Sequence, residues 1–290
     1  MKGKVLLLVS SIILSTTAFA QKNELKTLKK IYGKEKISDS DMELYKTTLV
    51  NGESLIAGST EDDKVYFGFY KAMSPILELN LVMSKPENAK NPGLTLKYLT
   101  VDNVSLLVTN LNATLTYEKK SGKQVYTKDI QETITSFKPM LISYAVALSG
   151  NSKMKEAADV LASIYELDKT DVEKLYYAAN YAVNSKDYVK ALKYYGELKS
   201  LNFTGECTQY YAKNILTEKE DYFGNTPDAK TDRESKIKLK LYSDPRDEKI
   251  PSKRPEIFKS IALILLELGK SDEAKIAFDF FMRTLNEIRT

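Results

Sequence analysis

Leu175-Tyr176-Tyr177-Ala178-Ala179-Asn180-Tyr181-Ala182-Val183-Asn184-Ser185-Lys186-Asp187-Tyr188-Val189-Lys190-Ala191-Leu192-Lys193-Tyr194-Tyr195 decides the fold. Leu175, Tyr176, Ala178, Ala179 and Ala182 recur at intervals of three and four, the spacing that lines one face of an α-helix. Lys186-Asp187 makes a turn, and Ala191, Leu192, Tyr195 and Leu198 give a returning helix its inward face. Ala179 and Ala191, 12 positions apart, put one small residue on each facing surface, so two antiparallel helix axes can approach closely.

The same pattern occurs twice more. Working upstream at an offset of 34, Leu141 matches Leu175, Tyr144 matches Ala178, Ala145 matches Ala179, Ala157 matches Ala191 and Leu161 matches Tyr195. Downstream, Ala262 and Ala274 repeat the 12-residue interval around Gly269-Lys270, with Phe278 in the place of Leu161 and Tyr195. Ala145, Ala157, Ala179, Ala191, Ala262 and Ala274 are therefore expected to be the repeat-packing residues. Self-similarity at such a period marks stacked supersecondary units.

Divided as 138–171, 172–205 and 255–288, the chain resembles the tetratricopeptide repeat (TPR) family. The resemblance rests on Lys186 to Tyr195, which looks like the family's turn and second-helix signature, and on Glu166-Leu167-Asp168 at the end of a unit. It implies an all-α fold: a right-handed, TPR-like solenoid of helical hairpins. The domains expected are a degenerate helical region over 21–137, two units over 138–205, an insertion of 49 residues over 206–254 and a third, truncated unit over 255–290. More loosely, the whole chain is similar to exported Bacteroidetes-type TPR proteins.

The insertion is too long for a structureless loop in a compact domain. Thr208 to Ala212 and Asp221 to Phe223 read as two short extended segments around Leu216 to Lys219. Thr231-Asp232-Arg233-Glu234 has the form of a capping box, whereas Lys236 to Leu241 alternates as a strand does; of the two, a short helix is preferred. Ser243-Asp244-Pro245-Arg246 and Pro251 to Pro255 read as turn chemistry. Upstream, Tyr66, Phe69, Tyr70, Met73, Ile76 and Leu77 form one amphipathic helix, and Val104, Leu107, Val108, Leu111 and Leu115 another. Breaks fall at Gly58-Ser59-Thr60, from Ser84 to Gly93 and at Lys119 to Gly122. This region is either a set of degenerate hairpins packed on the first clear unit or a separate helical domain.

The first twenty residues have the order of a secretory signal peptide. Lys2 and Lys4 precede an apolar run from Val5 to Leu14, and Ala18-Phe19-Ala20 places the cleavage after Ala20. The mature product is expected to be exported, periplasmic or associated with the cell envelope, and without a transmembrane segment, because no later apolar run approaches about 20 residues.

Composition then narrows the chemistry. The 290 residues include no histidine and one cysteine, which excludes Ser-His-Asp and Cys-His pairs, His-ligated metals and an internal disulfide framework. Cys207 reads as a half-buried small residue or as an intermolecular disulfide or reactive thiol. Basic and acidic residues number 43 and 39, too balanced for the concentrated basic surface that nucleic acid requires. Glu61-Asp62-Asp63 and Glu218 to Asp221 lie in polar runs and read as solvated helix starts and loops. No cofactor, metal site or catalytic residue is expected.

A stack of helical pairs offers a concave surface for a peptide or helix. By the resemblance, its lining in the second unit would be Glu173, Tyr176, Tyr177, Asn180, Val183 and Asn184, although Tyr176 and Tyr177 read equally well as packing residues. The third-unit counterparts, Lys259, Leu263 and Leu266, lack that polarity. The function expected is a non-catalytic scaffold for a protein or peptide partner; the alternative is an envelope hydrolase or carbohydrate-binding protein on the same scaffold. The second helix of the third unit has no further helix to cover it, so the chain is either a fragment or uses that face for a partner or for self-association.

Overall fold

The computed structural model describes residues 22–88, 94 and 97–289. The expected signal peptide and the break at Asn91-Pro92-Gly93 lie outside the described residues. The protein is mostly helical, with packed helix pairs and a small antiparallel sheet, so the all-α expectation is corrected. The chain divides between Lys174 and Leu175 into two compact units.

The first unit comprises α1 (22–32), α2 (Asp39–Leu55), α3 (Glu61–Met83), α4 (Val101–Ser121), α5 (Thr127–Gly150) and α6 (Met154–Leu167). Four of these starts are capped by a side chain. Ser38 and Asp41 form a reciprocal capping box, and the Thr60 and Thr100 hydroxyls accept N–H groups of α3 and α4. The α5 start is capped from another helix: the buried Glu118 carboxylate of α4 accepts the Tyr126 and Thr127 backbone N–H groups, each at 2.9 Å. The helix α2 packs on α3 where Gly52 meets Phe67; a Cβ there would stand 2.4 Å from the ring, so only glycine allows the approach.

Tyr32, Tyr45, Tyr70 and Tyr126 pack with Phe69 into an aromatic core. Phe69 stacks on Tyr126 at 4.3 Å, Tyr32 meets Phe69 edge-on at 5.1 Å, and the Tyr45 hydroxyl donates to the Tyr70 carbonyl at 2.7 Å. Both expected amphipathic helices are present, with Phe69, Tyr70, Met73 and Ile76 buried on α3 and Val104, Leu107, Val108 and Leu111 buried on α4. The helix α4 packs against α3, α5 and α6, which joins the first proposed repeat to the upstream helices in one unit.

The second unit begins within α7 (Val172–Asn184) and continues through α8 (Tyr188–Ser200), β1 (Cys207–Asn214), β2 (Glu220–Gly224), α9 (Pro227–Lys238), β3 (Tyr242–Ile250), α10 (Arg254–Glu267) and α11 (Ser271–Arg289). The insertion folds as an ordered module. Its three strands run antiparallel in the order β2-β1-β3, and α9 packs against all of them. The two extended segments expected from sequence lie in β1 and β2. The capping-box expectation is corrected: the helix starts at Pro227, where the Thr226 hydroxyl accepts the Ala229 N–H, and Thr231 lies inside it.

The turn expected at Ser243 to Arg246 is also corrected, since these residues lie in β3. Tyr211 pairs with Arg246 and Lys213 with Ser243, so Asp244 and Pro245 together oppose Ala212 as a bulge. An edge strand with a bulge is where a proline lacking an N–H can sit within a sheet.

The helical hairpins share one turn. Ser152, Lys186 and Gly269 have φ of 61°, 60° and 73°, and the next residue's N–H returns to Leu148, Ala182 and Leu265 at 2.9, 2.9 and 2.8 Å. That is a left-handed helix cap closed by a long return bond. The three turns stand at the same offsets, 34 and 83, as the alanine pairs, and all six alanines are buried.

Candidate functional site

The polar residues expected on the second hairpin separate into two groups. Tyr176 is buried, its ring 6.1 Å from Phe203, with the Lys253 Nζ 6.0 Å above it. Its hydroxyl faces Asn180 and the Glu256 carboxylate of α10. Asn180 also accepts the Tyr195 hydroxyl, and Tyr195 in turn meets Ser260 of α10. Burial holds the Tyr176 and Tyr195 hydroxyls above their ordinary pKa, so both remain neutral donors over the physiological range. Tyr176 and Asn180 thus belong to the surface on which α10 lies. Tyr177 and Asn184 are exposed on the same helix, and Glu173 is half-buried near its start.

The seat of α10 is built by the α7–α8 hairpin. Leu192 of α8 and Ile261 of α10 both pack on the cluster of Ala262, Leu265, Ala274 and Ala277. Beside them, Phe258 stacks on Phe280 of α11 at 5.4 Å under the Lys199 ammonium. Docking is therefore apolar at the centre and polar along the Tyr176 side.

The positions equivalent to that seat on the α10–α11 hairpin are open. At the offset of 83, Tyr176 becomes Lys259, Asn180 becomes Leu263, Val183 becomes Leu266, Leu192 becomes Lys275 and Tyr195 becomes Phe278. Together with Phe281 they line a hollow of about 320 Å³. Leu263, Leu266 and Phe278 are each about half exposed, on a surface where single exposed apolar residues would be ordinary but a lined groove is not. From the sequence, Lys259, Leu263 and Leu266 are expected as third-unit groove positions of low polarity, Phe278 as a packing residue and the last face as uncovered; their equivalence to the α10 seat spans the insertion.

The acidic clusters are engaged locally. Asp62 pairs with Lys123 at 2.6 Å, Glu220 with Arg246 at 2.8 Å, and Asp221 accepts the Tyr242 hydroxyl at 2.8 Å. Cys207 is a half-buried free thiol opening β1 opposite Ile250. Among the described residues, no group of three or more cysteine, aspartate or glutamate side chains is placed to hold a metal ion, and no helix is long and apolar enough to cross a membrane. No family model matches the chain, and no curated protein matches it in sequence.

Proposed function

We propose that the protein is an exported, non-catalytic scaffold of TPR-like helical hairpins that binds a protein or peptide in the periplasm or cell envelope. The observation that carries this reading is the recurrence of one hairpin design, the same left-handed turn and the same buried alanine pair, at offsets of 34 and 83. A chain that repeats a packing unit generates extended surfaces without needing any reactive group. The open apolar face of the last hairpin and the exposed Tyr177 and Asn184 of α7 are the surfaces on offer.

Export is supported by the order of charge, apolar run and small-residue exit in residues 1–20. Sequencing the N-terminus of the protein from its native cell is expected to begin at Gln21; retention of Met1 to Ala20 on a soluble internal product would remove this part of the reading. Binding is tested by placing a photo-crosslinking residue at Asn184 and, separately, at Leu266 in the native envelope. A discrete crosslinked partner at either position is expected. A folded, exported protein that gives none at either position would overturn the scaffold reading.

A further inference from the structure

We infer that the outer face of the α10–α11 hairpin docks an amphipathic helix of a partner protein, one that carries a carboxylate just ahead of its apolar stripe. The inference deepens the scaffold reading, on which it rests, by naming what one of its surfaces takes. The template for the occupant lies in the same compact unit. The equivalent face of the α7–α8 hairpin is covered by α10, a helix of 14 residues that brings Ile261 and Leu265 to the apolar centre and Glu256 to the Tyr176 hydroxyl.

Transposed by 83 positions, the same seat has the same construction with altered chemistry. The alanines that set the close approach are retained as Ala262 and Ala274, both buried. The polar members Asn180 and Tyr195 become Leu263 and Phe278, so these two points of the seat turn apolar, while Leu192 at its centre becomes Lys275. Tyr176, which faces Glu256, becomes Lys259. A carboxylate at the Glu256 position of an incoming helix would therefore face an ammonium instead of a phenol, and Lys275 adds a second cation on the opposite wall. From Lys259 to Leu266 the floor spans two helical turns and along α11 from Ser271 to Phe281 about three, which suits a helix of roughly three to four turns. A helix laid in an apolar groove with anchors at three- and four-residue spacing is an established mode of recognition.

The probe is a capped synthetic peptide of residues 254–267 in which the two outward leucines are changed, Leu263→Gln and Leu266→Glu, leaving the stripe of Ile257, Phe258, Ile261, Ile264 and Leu265 intact. Titrated into the mature chain and followed by fluorescence anisotropy, it is expected to bind in the micromolar range. Leu263→Glu in the protein should weaken binding about tenfold or more, and Lys259→Glu similarly. A peptide that also carries Glu256→Lys should bind the Lys259→Glu protein better than it binds the unaltered one. Circular dichroism melts check that each variant is folded, as expected for exposed positions.

Absence of binding to a folded protein, or binding indifferent to Leu263→Glu and to the charge exchange, overturns the inference. Light scattering that reveals a dimer dissolved by Phe278→Glu also overturns it, in favour of a second copy as the occupant. The crosslinks separate this inference from the scaffold reading. A crosslinked partner that survives Leu263→Glu would keep the scaffold and remove this face, whereas no crosslinked partner at either position would overturn the scaffold reading and this inference with it, even if the peptide binds.

Discussion

Tyr195 and Phe278 hold the same place on two helical hairpins 83 positions apart, yet Tyr195 is 1% exposed and Phe278 is 50% exposed. The difference has one cause: α10 lies over the first and no described helix lies over the second. Tyr195→Ala should therefore cost about 3–5 kcal/mol, the range for deleting a large buried ring. Phe278→Ala should stay within about 0.5 kcal/mol of the unaltered chain. Urea melts of both variants give the comparison, and equal losses would contradict the placement of α10.

Tyr176→Ala combined with Asn180→Ala bears on the same seat. Asn180 accepts the Tyr195 hydroxyl, and the Tyr176 and Tyr195 hydroxyls face Glu256 and Ser260 of α10. The double variant should lower stability by about 2–4 kcal/mol, because a buried ring is lost and the Tyr195 hydroxyl loses its acceptor. Hydrogen exchange should speed up in both α8 and α10. Unchanged exchange in α10 would mean that the pair acts only within its own hairpin.

The alanine pair makes a sharper claim about helix spacing. Ala179 of α7 and Ala191 of α8 are fully buried, so a longer side chain at either must displace its neighbours. Ala179→Leu or Ala191→Leu should each destabilise by about 1–3 kcal/mol through overpacking. Val189→Leu, at an exposed position two residues before Ala191, serves as the neutral control. A neutral melt for both alanine variants would contradict the close approach.

The hairpins were legible because apolar periodicity and turn residues act over short sequence distances. Leu175 to Leu198 declares two helices and a turn without any other part of the chain. The strand β3 was illegible for the opposite reason. Tyr242–Ile250 is an edge strand with a mostly exposed surface, so it needs no apolar alternation, and its proline sits at a bulge that only the pairing with β1 defines. The start of α9 was misread because Thr231 imitates a cap, while the operative hydroxyl is Thr226, ahead of Pro227. Tyr176 and Asn180 are groove residues only by the family resemblance. What covers them arrives from α10 after a 49-residue insertion, a long-range fact that no local pattern carries.

The insertion module depends on Arg233. Its buried guanidinium donates from one nitrogen to the Tyr211 carbonyl at 3.3 Å, the Arg246 carbonyl at 3.1 Å and the Asp247 carboxylate at 2.5 Å, while stacking 5.1 Å from the Tyr210 ring centre. It therefore ties α9 to both β1 and β3 across the bulge. Arg233→Met should cost about 2–3 kcal/mol within the module, because it removes a charged donor and leaves its acceptors unmet. Arg233→Lys should recover only part, lacking the planar group that stacks on Tyr210. Faster exchange of β1 and β3 amides is the expected readout, and unchanged protection would refute the tie.

In the first unit, the Lys138 ammonium bridges Asp168 at 2.6 Å and Asp171 at 2.8 Å, joining α5 to the turn after α6. The hydrogen bond from Lys138 is the largest influence on Asp168, followed by the Thr170 hydroxyl, and together they hold its carboxyl down at about 2. A carboxylate with a folded pKa below its unfolded value, about 4, binds fewer protons when folded. Its contribution is present above about pH 4 and is lost as the pH falls toward about 2. With part of the pair in solvent, the loss should be about 1 kcal/mol. Lys138→Met should destabilise this unit near neutrality by a similar amount and flatten its stability across that acid window, since Asp168 then titrates nearer its ordinary value. Hydrogen exchange of α5 and α6 amides in the two proteins, taken at several pH values between about 6 and 2, measures the convergence. A gap between them that persists undiminished at the acid end would assign the cost of the substitution to lost packing of the lysine stem and not to the ion pair.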